Sequence, residues 1–152
     1  ERVPLKHVIL EVTETVYMGE GDQAVQAAIK SLRAKGIRVA LDDFGTGFAS
    51  LTHLLSVPVD IIKIDKTFID HLASDEVSMT IVESLIRIAQ KMGIRVVAEG
   101  VETEEQAQLL QEAGCTLAQG FINSRAVNRE AVTALLLERA QYMEMINGKT
   151  YG

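Results

Sequence analysis

Five short apolar runs alternate along this chain with longer stretches patterned as amphipathic helices, and almost every run is closed on its C-terminal side by an acid or an amide. Alternation of this kind is what βα units and a parallel sheet require. The runs span 7–12, 37–41, 59–64, 94–98 and, more weakly, 115–119. Between the first two, Ala24, Ala28 and Leu32 recur with Val25 and Ile29 at helical spacing, which predicts a helix over 22–35 with Gly36 behind it. Helices are also predicted over 76–92, ended by Gly93, over 103–113, where Thr103 and Gln106 have capping-box spacing, and over 128–146. A shorter helix is expected after the Gly-rich turn at 44–47, reaching about Leu55, with Pro58 marking the restart.

Five strands joined by helical crossovers can form an open doubly wound sheet or part of a closed barrel. The placement of polar residues favours the barrel. Glu11, Asp42 with Asp43, Glu99 and Gln119 close four of the runs, and Lys63 with Asp65 closes the remaining one. In a βα barrel the C-terminal strand ends converge on one mouth, so residues distant in sequence meet there, whereas an open sheet would spread them along a line. The expected fold is therefore α/β, a partial TIM-like barrel of about five parallel strands. A whole barrel takes about 250 residues. At 152 residues, with Glu rather than Met at position 1, the chain is expected to be part of a longer domain, short by about three strands.

Composition narrows the function. With 47% hydrophobic residues the chain can bury a substantial core, and no apolar run is long enough for a membrane span. A net charge of -6 and the lack of a basic run disfavour binding to a nucleic acid polymer. Cys115 is alone and no Cys/His cluster has zinc spacing, so a reducing, cytoplasmic setting is expected, with any membrane tether supplied by other domains. A small phosphate ester could bind such an acidic chain only if divalent metal offset the charge.

Glu11, Asp42, Asp43 and Glu99 offer hard oxygen ligands, which suit Mg²⁺, Mn²⁺ or Ca²⁺ and not zinc. Taken alone, the adjacent aspartates read equally well as a solvated turn. Lys63 lies inside an apolar run, where an ammonium needs an acidic partner or a polar cavity. It could orient water or phosphate, form a Schiff base, or make a structural ion pair with Asp65 or another carboxylate.

Together, LEVTET (10–15), LDDFGTGFASL (41–51), IKID (62–65), VAEGVET (97–103) and QGF (119–121) resemble the EAL family of cyclic di-GMP phosphodiesterases in order and approximate spacing. The resemblance implies the last five strands of a TIM-like barrel and a two-metal phosphodiesterase that opens cyclic di-GMP to linear pGpG. It implies Glu11, Asp42 and Asp43 as ligands of Mg²⁺ or Mn²⁺, with Ca²⁺ inhibiting or substituting. Lys63, Glu99 and Gln119 match the family's catalytic positions, and Asp65 and Glu102 its secondary acids. Glu14 matches the glutamate that pins the loop 43–50, through which the metal site is coupled to a homodimer interface. The Glu-Ala-Leu motif and a ligand asparagine would lie upstream of Glu1, so residues 1–152 are expected to be a C-terminal portion of one domain, inactive by itself. Ala126 departs from the proline common after the Ser-Arg pair, Ser124 and Arg125. A noncatalytic cyclic di-GMP receptor and an unrelated Schiff-base barrel enzyme are the competing readings.

Overall fold

The computed structural model describes residues 3–13, 16, 22–45 and 59–147. After a 3-10 turn at Leu5–His7 come five strands: β1 (Ile9–Thr13), β2 (Arg38–Phe44), β3 (Ile61–Ile64), β4 (Arg95–Glu99) and β5 (Leu117–Gln119). They form one sheet, parallel throughout and in sequence order. Helices α1 (Asp22–Ala34), α2 (Lys66–Asp70), α3 (Glu76–Lys91) and α4 (Glu104–Glu112) lie between the strands. Each apolar run holds one strand. The helix α2 is not expected from the sequence, and the helix expected to reach Leu55 lies outside the described residues. A doubly wound sheet reverses strand order at a switch point. Five strands in unbroken order have no reversal, as in the wall of a TIM-like barrel.

Register sorts the side chains onto two faces. Val39, Leu41, Ile62, Ile64, Val96 and Ala98 share one core cluster with Ile29, Ile69, Val82, Leu85, Ile86, Ala89 and Leu110 of the helices. The helices therefore cover that face. Ala40 and Ile61, opposite each other in the register, are buried outside the cluster, on the face that also carries Lys63. In α3, Val82, Leu85, Ile86 and Ala89 are buried at the spacing of a single helical stripe. Each large side chain there contributes roughly 1.5–3 kcal/mol of burial. Asp75 starts the helix by accepting from Val77 N and Ser78 N.

The N-terminal rim of the sheet is held by one carboxylate. Asp60, just ahead of β3, accepts from Arg33 Nη2 at 2.6 Å and Nε at 3.1 Å, and from Val39 N at 2.9 Å. Burial pushes this carboxyl up, but the Arg33 and Val39 hydrogen bonds and the charges of Arg33 and Arg95 outweigh it and hold the pKa below 3.8. A depressed carboxylate pKa stabilises the fold above the unfolded value, and that stability is lost as pH falls through the folded one. The unfolding free energy from denaturant titrations between pH 6 and pH 2 is thus expected to lose a contribution of about 1 kcal/mol below about pH 4, a loss that Asp60→Asn removes.

Residues 123–152 form a second compact unit. Its helix α5 (Arg129–Asn147) follows Asn128, whose Oδ1 accepts from Ala131 N. Among the described residues, no helix is long and apolar enough to cross a membrane.

Candidate functional site

Lys63 is the organising charge. Only 8% of its side chain is exposed, and its Nζ donates to Glu99 Oε1 at 2.8 Å, Asp42 Oδ1 at 3.0 Å and Glu11 Oε1 at 3.0 Å. Four strands thus meet at one ammonium: β1 through Glu11, β2 through Asp42, β3 through Lys63 and β4 through Glu99. Burial opposes the lysine's charge, but the hydrogen bonds with Glu99, Asp42 and Glu11 outweigh it and hold its pKa well above that of an ordinary lysine. A Schiff-base lysine must be neutral to attack a carbonyl, so this environment speaks against that chemistry. The glutamate at 99 is displaced as well: burial raises its pKa, Lys63 pulls it down, and nearby Asp42 pushes it up, with a net rise.

Asp42 and Asp43 reach this rim together because β2 is irregular. Leu41 pairs with Ile62 and Phe44 with Ile64, so three steps along β2 match two along β3. The extra residue is Asp43, at φ 55. A regular strand would turn Asp43 toward the helices and Phe44 into the acidic mouth, because side chains alternate. With the bulge, Phe44 joins the helix-side core, and carboxylate oxygens of Asp42, Asp43 and Glu99 lie within 4.8 Å of one another. Left-handed backbone in a non-glycine residue costs roughly 1–2 kcal/mol, and strain of this kind is concentrated at functional sites. Behind the bulge, Gly45 has φ 101, and a Cβ there would lie 2.5 Å from Cε2 of Phe68.

Gln119 pairs in register with Glu99 at the same rim. Two of the expected acids sit beside the cluster instead of on Lys63. Asp65 caps α2, accepting from Thr67 N at 2.9 Å and Thr67 Oγ1 at 2.5 Å. Glu102 accepts from Lys66 Nζ at 3.1 Å, and Lys66 also donates to Asp70 at 2.6 Å. The sequence does not mark Lys66 as a site residue. Its only local signal is the four-residue spacing to Asp70. Glu14 and residues 46–50, on which the expected loop coupling and dimer contact depend, lie outside the described residues.

Four carboxylates (Glu11, Asp42, Asp43, Glu99) against one ammonium (Lys63) leave a formal charge of -3 at this rim. At an effective dielectric near 20, two unit charges 4 Å apart interact by about 4 kcal/mol. Such a cluster gains from a cation, and oxygen donors without imidazole or thiolate fit a hard divalent ion.

The family model for the EAL domain matches residues 1–126. Among curated proteins, the chain is similar to the bifunctional diguanylate cyclase/cyclic di-GMP phosphodiesterase MucR of Pseudomonas aeruginosa, 39% identical over 128 residues, which cover 84% of this chain and 18% of MucR. The MucR phosphodiesterase solved in complex with c-di-GMP superimposes with a TM-score of 0.79 at 38% identity, covering 86% of this chain and 52% of that one. For the EAL domain of Mycobacterium smegmatis DcpA the TM-score is 0.83 at 39% identity, covering 90% and 60%. Klebsiella pneumoniae BlrP1, solved with manganese and c-di-GMP and also with calcium and c-di-GMP, gives 0.74 at 39% identity, covering 78% and 30%. The chain spans about a fifth of MucR and little more than half of the two phosphodiesterase and EAL-domain structures.

Proposed function

This chain belongs to the EAL domain family, and on that basis we propose that it is the C-terminal portion of a metal-dependent cyclic di-GMP phosphodiesterase domain that opens the cyclic dinucleotide to linear pGpG. The observation that carries the reading is the convergence of Glu11, Asp42 and Glu99 on Lys63 Nζ, with Asp43 beside them on the bulge. The domain as a whole is taken to be larger than residues 1–152, since the solved EAL domains extend well beyond the matched part. Its Glu-Ala-Leu motif and further ligands would lie in that remainder, so this portion alone would hydrolyse little. The parent is proposed to be a cytoplasmic homodimer.

Glu11, Asp42 and Asp43 would hold Mg²⁺ or Mn²⁺. Bound there, the ions would supply positive charge for the phosphate and make water more acidic. Lys63 keeps three carboxylates aligned and leaves a fixed positive charge at the rim. Glu99, whose pKa is raised, is suited to take a proton from the attacking water. Water would add to phosphorus, the bond from phosphorus to the 3′ oxygen would break, and that oxygen would leave with a proton as the 3′ hydroxyl of pGpG. Gln119, at the same rim, would line the substrate's approach, with Asp65 and Glu102 flanking it.

A rim of formal charge -3 repels a dianionic substrate, so substrate binding should depend on metal. In the full-length protein, pGpG formation is expected with Mg²⁺ or Mn²⁺ and should fall at least about 100-fold when EDTA removes the ion. Turnover that survives EDTA, or none with either ion, would contradict the proposal.

A further inference from the structure

We infer that Gln106 is the positioning residue that locks the loop between β4 and α4, which follows Glu99 and carries Glu102, against α2, an inference that rests on the function proposed above. Gln106 is 9% exposed, in the first turn of α4. Its Oε1 accepts from Thr103 N at 3.1 Å and from Glu102 N at 2.9 Å, while its Nε2 donates to Ile69 O at 3.2 Å. A capping box requires the first of these bonds. The other two go beyond helix initiation.

Ile69 belongs to α2, which begins two residues after the end of the strand carrying Lys63. One buried amide therefore ties together the two arms of the site, β3 with α2 and the β4–α4 loop. On the solvent side the same gap is closed by Lys66, which reaches Glu102 and packs its stem over Gly100, where a Cβ would lie 2.5 Å from Lys66 Cγ. That ion pair is more than 40% exposed on both sides and correspondingly weak. Gln106 is dehydrated, and its bonds reach backbone rather than mobile side chains, so alignment of the two arms falls to it.

In the full-length protein, Gln106→Met keeps the side chain's length and removes all three bonds. It is expected to lower kcat for cyclic di-GMP about 10- to 100-fold with KM within about threefold, and to weaken binding of Mn²⁺ alone, read by electron paramagnetic resonance, by at least about threefold. Gln106→Glu, ionised at neutral pH, keeps the acceptor for the loop amides but loses the donor to Ile69 O, so the Glu102 and Thr103 amides should stay protected from hydrogen exchange while kcat falls by about 10-fold or more. A folded Gln106→Met protein with wild-type kcat and Mn²⁺ affinity overturns the inference. So does a Gln106→Glu protein whose kcat stays within about threefold of wild type although its bond to Ile69 O is gone. Should Gln106→Met not fold, Gln106→Glu decides: a kcat lowered by about 10-fold or more with protected amides supports the inference, and a kcat within about threefold of wild type overturns it. If the wild type hydrolyses no cyclic di-GMP, the proposed function fails, and the Mn²⁺ titration still reads the positioning.

Discussion

Asp42→Asn in the full-length protein is expected to lower kcat for cyclic di-GMP by more than about 100-fold, beyond the 10- to 100-fold typical of residues that only support a metal ligand. Asp42 sits at the middle of the rim, 3.0 Å from Lys63 Nζ and in the acidic group with Asp43 and Glu99. The substitution keeps the side chain's shape and removes one negative charge. Its effect should therefore fall on ion binding and turnover, and not on folding: Mn²⁺ affinity drops, while the thermal midpoint of the metal-free protein holds or rises because repulsion among the carboxylates is relieved. Turnover within about tenfold of wild type would show that Asp42 does not hold the metal.

Gly120→Ala is expected to be the most destabilising small substitution at the rim, costing about 3 kcal/mol or more. A Cβ at Gly120 would lie 2.1 Å from Val101 O and 2.4 Å from Val101 N. Those are backbone atoms and cannot swing aside. Val101 N donates to Gln119 O, Val101 O accepts from Ile122 N, and the Val101 side chain is fully buried. To make room, the chain must break that pair of hydrogen bonds or lift Val101 out of the core. At about 2–4 °C per kcal/mol for a domain of this size, the thermal midpoint should fall by roughly 6–12 °C. Gly93→Ala is the control: its φ is 72 but nothing lies within 4 Å of the added Cβ, so the cost is only the roughly 1–2 kcal/mol of left-handed backbone. Equal losses at the two positions would contradict the steric argument. Because Gly120 directly follows Gln119 and Val101 lies two residues beyond Glu99, any Gly120→Ala protein that folds should also bind Mn²⁺ more weakly.

What the sequence reveals depends on periodicity. Glu11, Lys63 and Glu99 can be placed at one mouth because each ends an apolar run, and parallel strands in sequence order bring such ends together. The helix α3 is legible from its stripe of apolar residues, and the start of α4 from the Thr103 and Gln106 spacing. Asp43 is different. Simple alternation sends it to the wrong face, and only the extra residue in β2 brings it beside Asp42, a geometry that the letters Asp-Asp-Phe-Gly do not specify. Five-residue α2 is too short to show a helical period, so Asp65 reads as a partner for Lys63 when its carboxylate in fact caps that helix. The additional bonds of Gln106 are hidden for a related reason: Ile69 is 37 residues away, a contact set by tertiary packing.

The most direct test is anomalous scattering from crystals of the full-length protein containing Mn²⁺ and cyclic di-GMP. Manganese peaks are expected against the carboxylates of Glu11, Asp42 and Asp43, with Lys63 and Glu99 alongside. Manganese bound elsewhere on the domain, with those three carboxylates making no contact to it, would rule out this rim as the metal site.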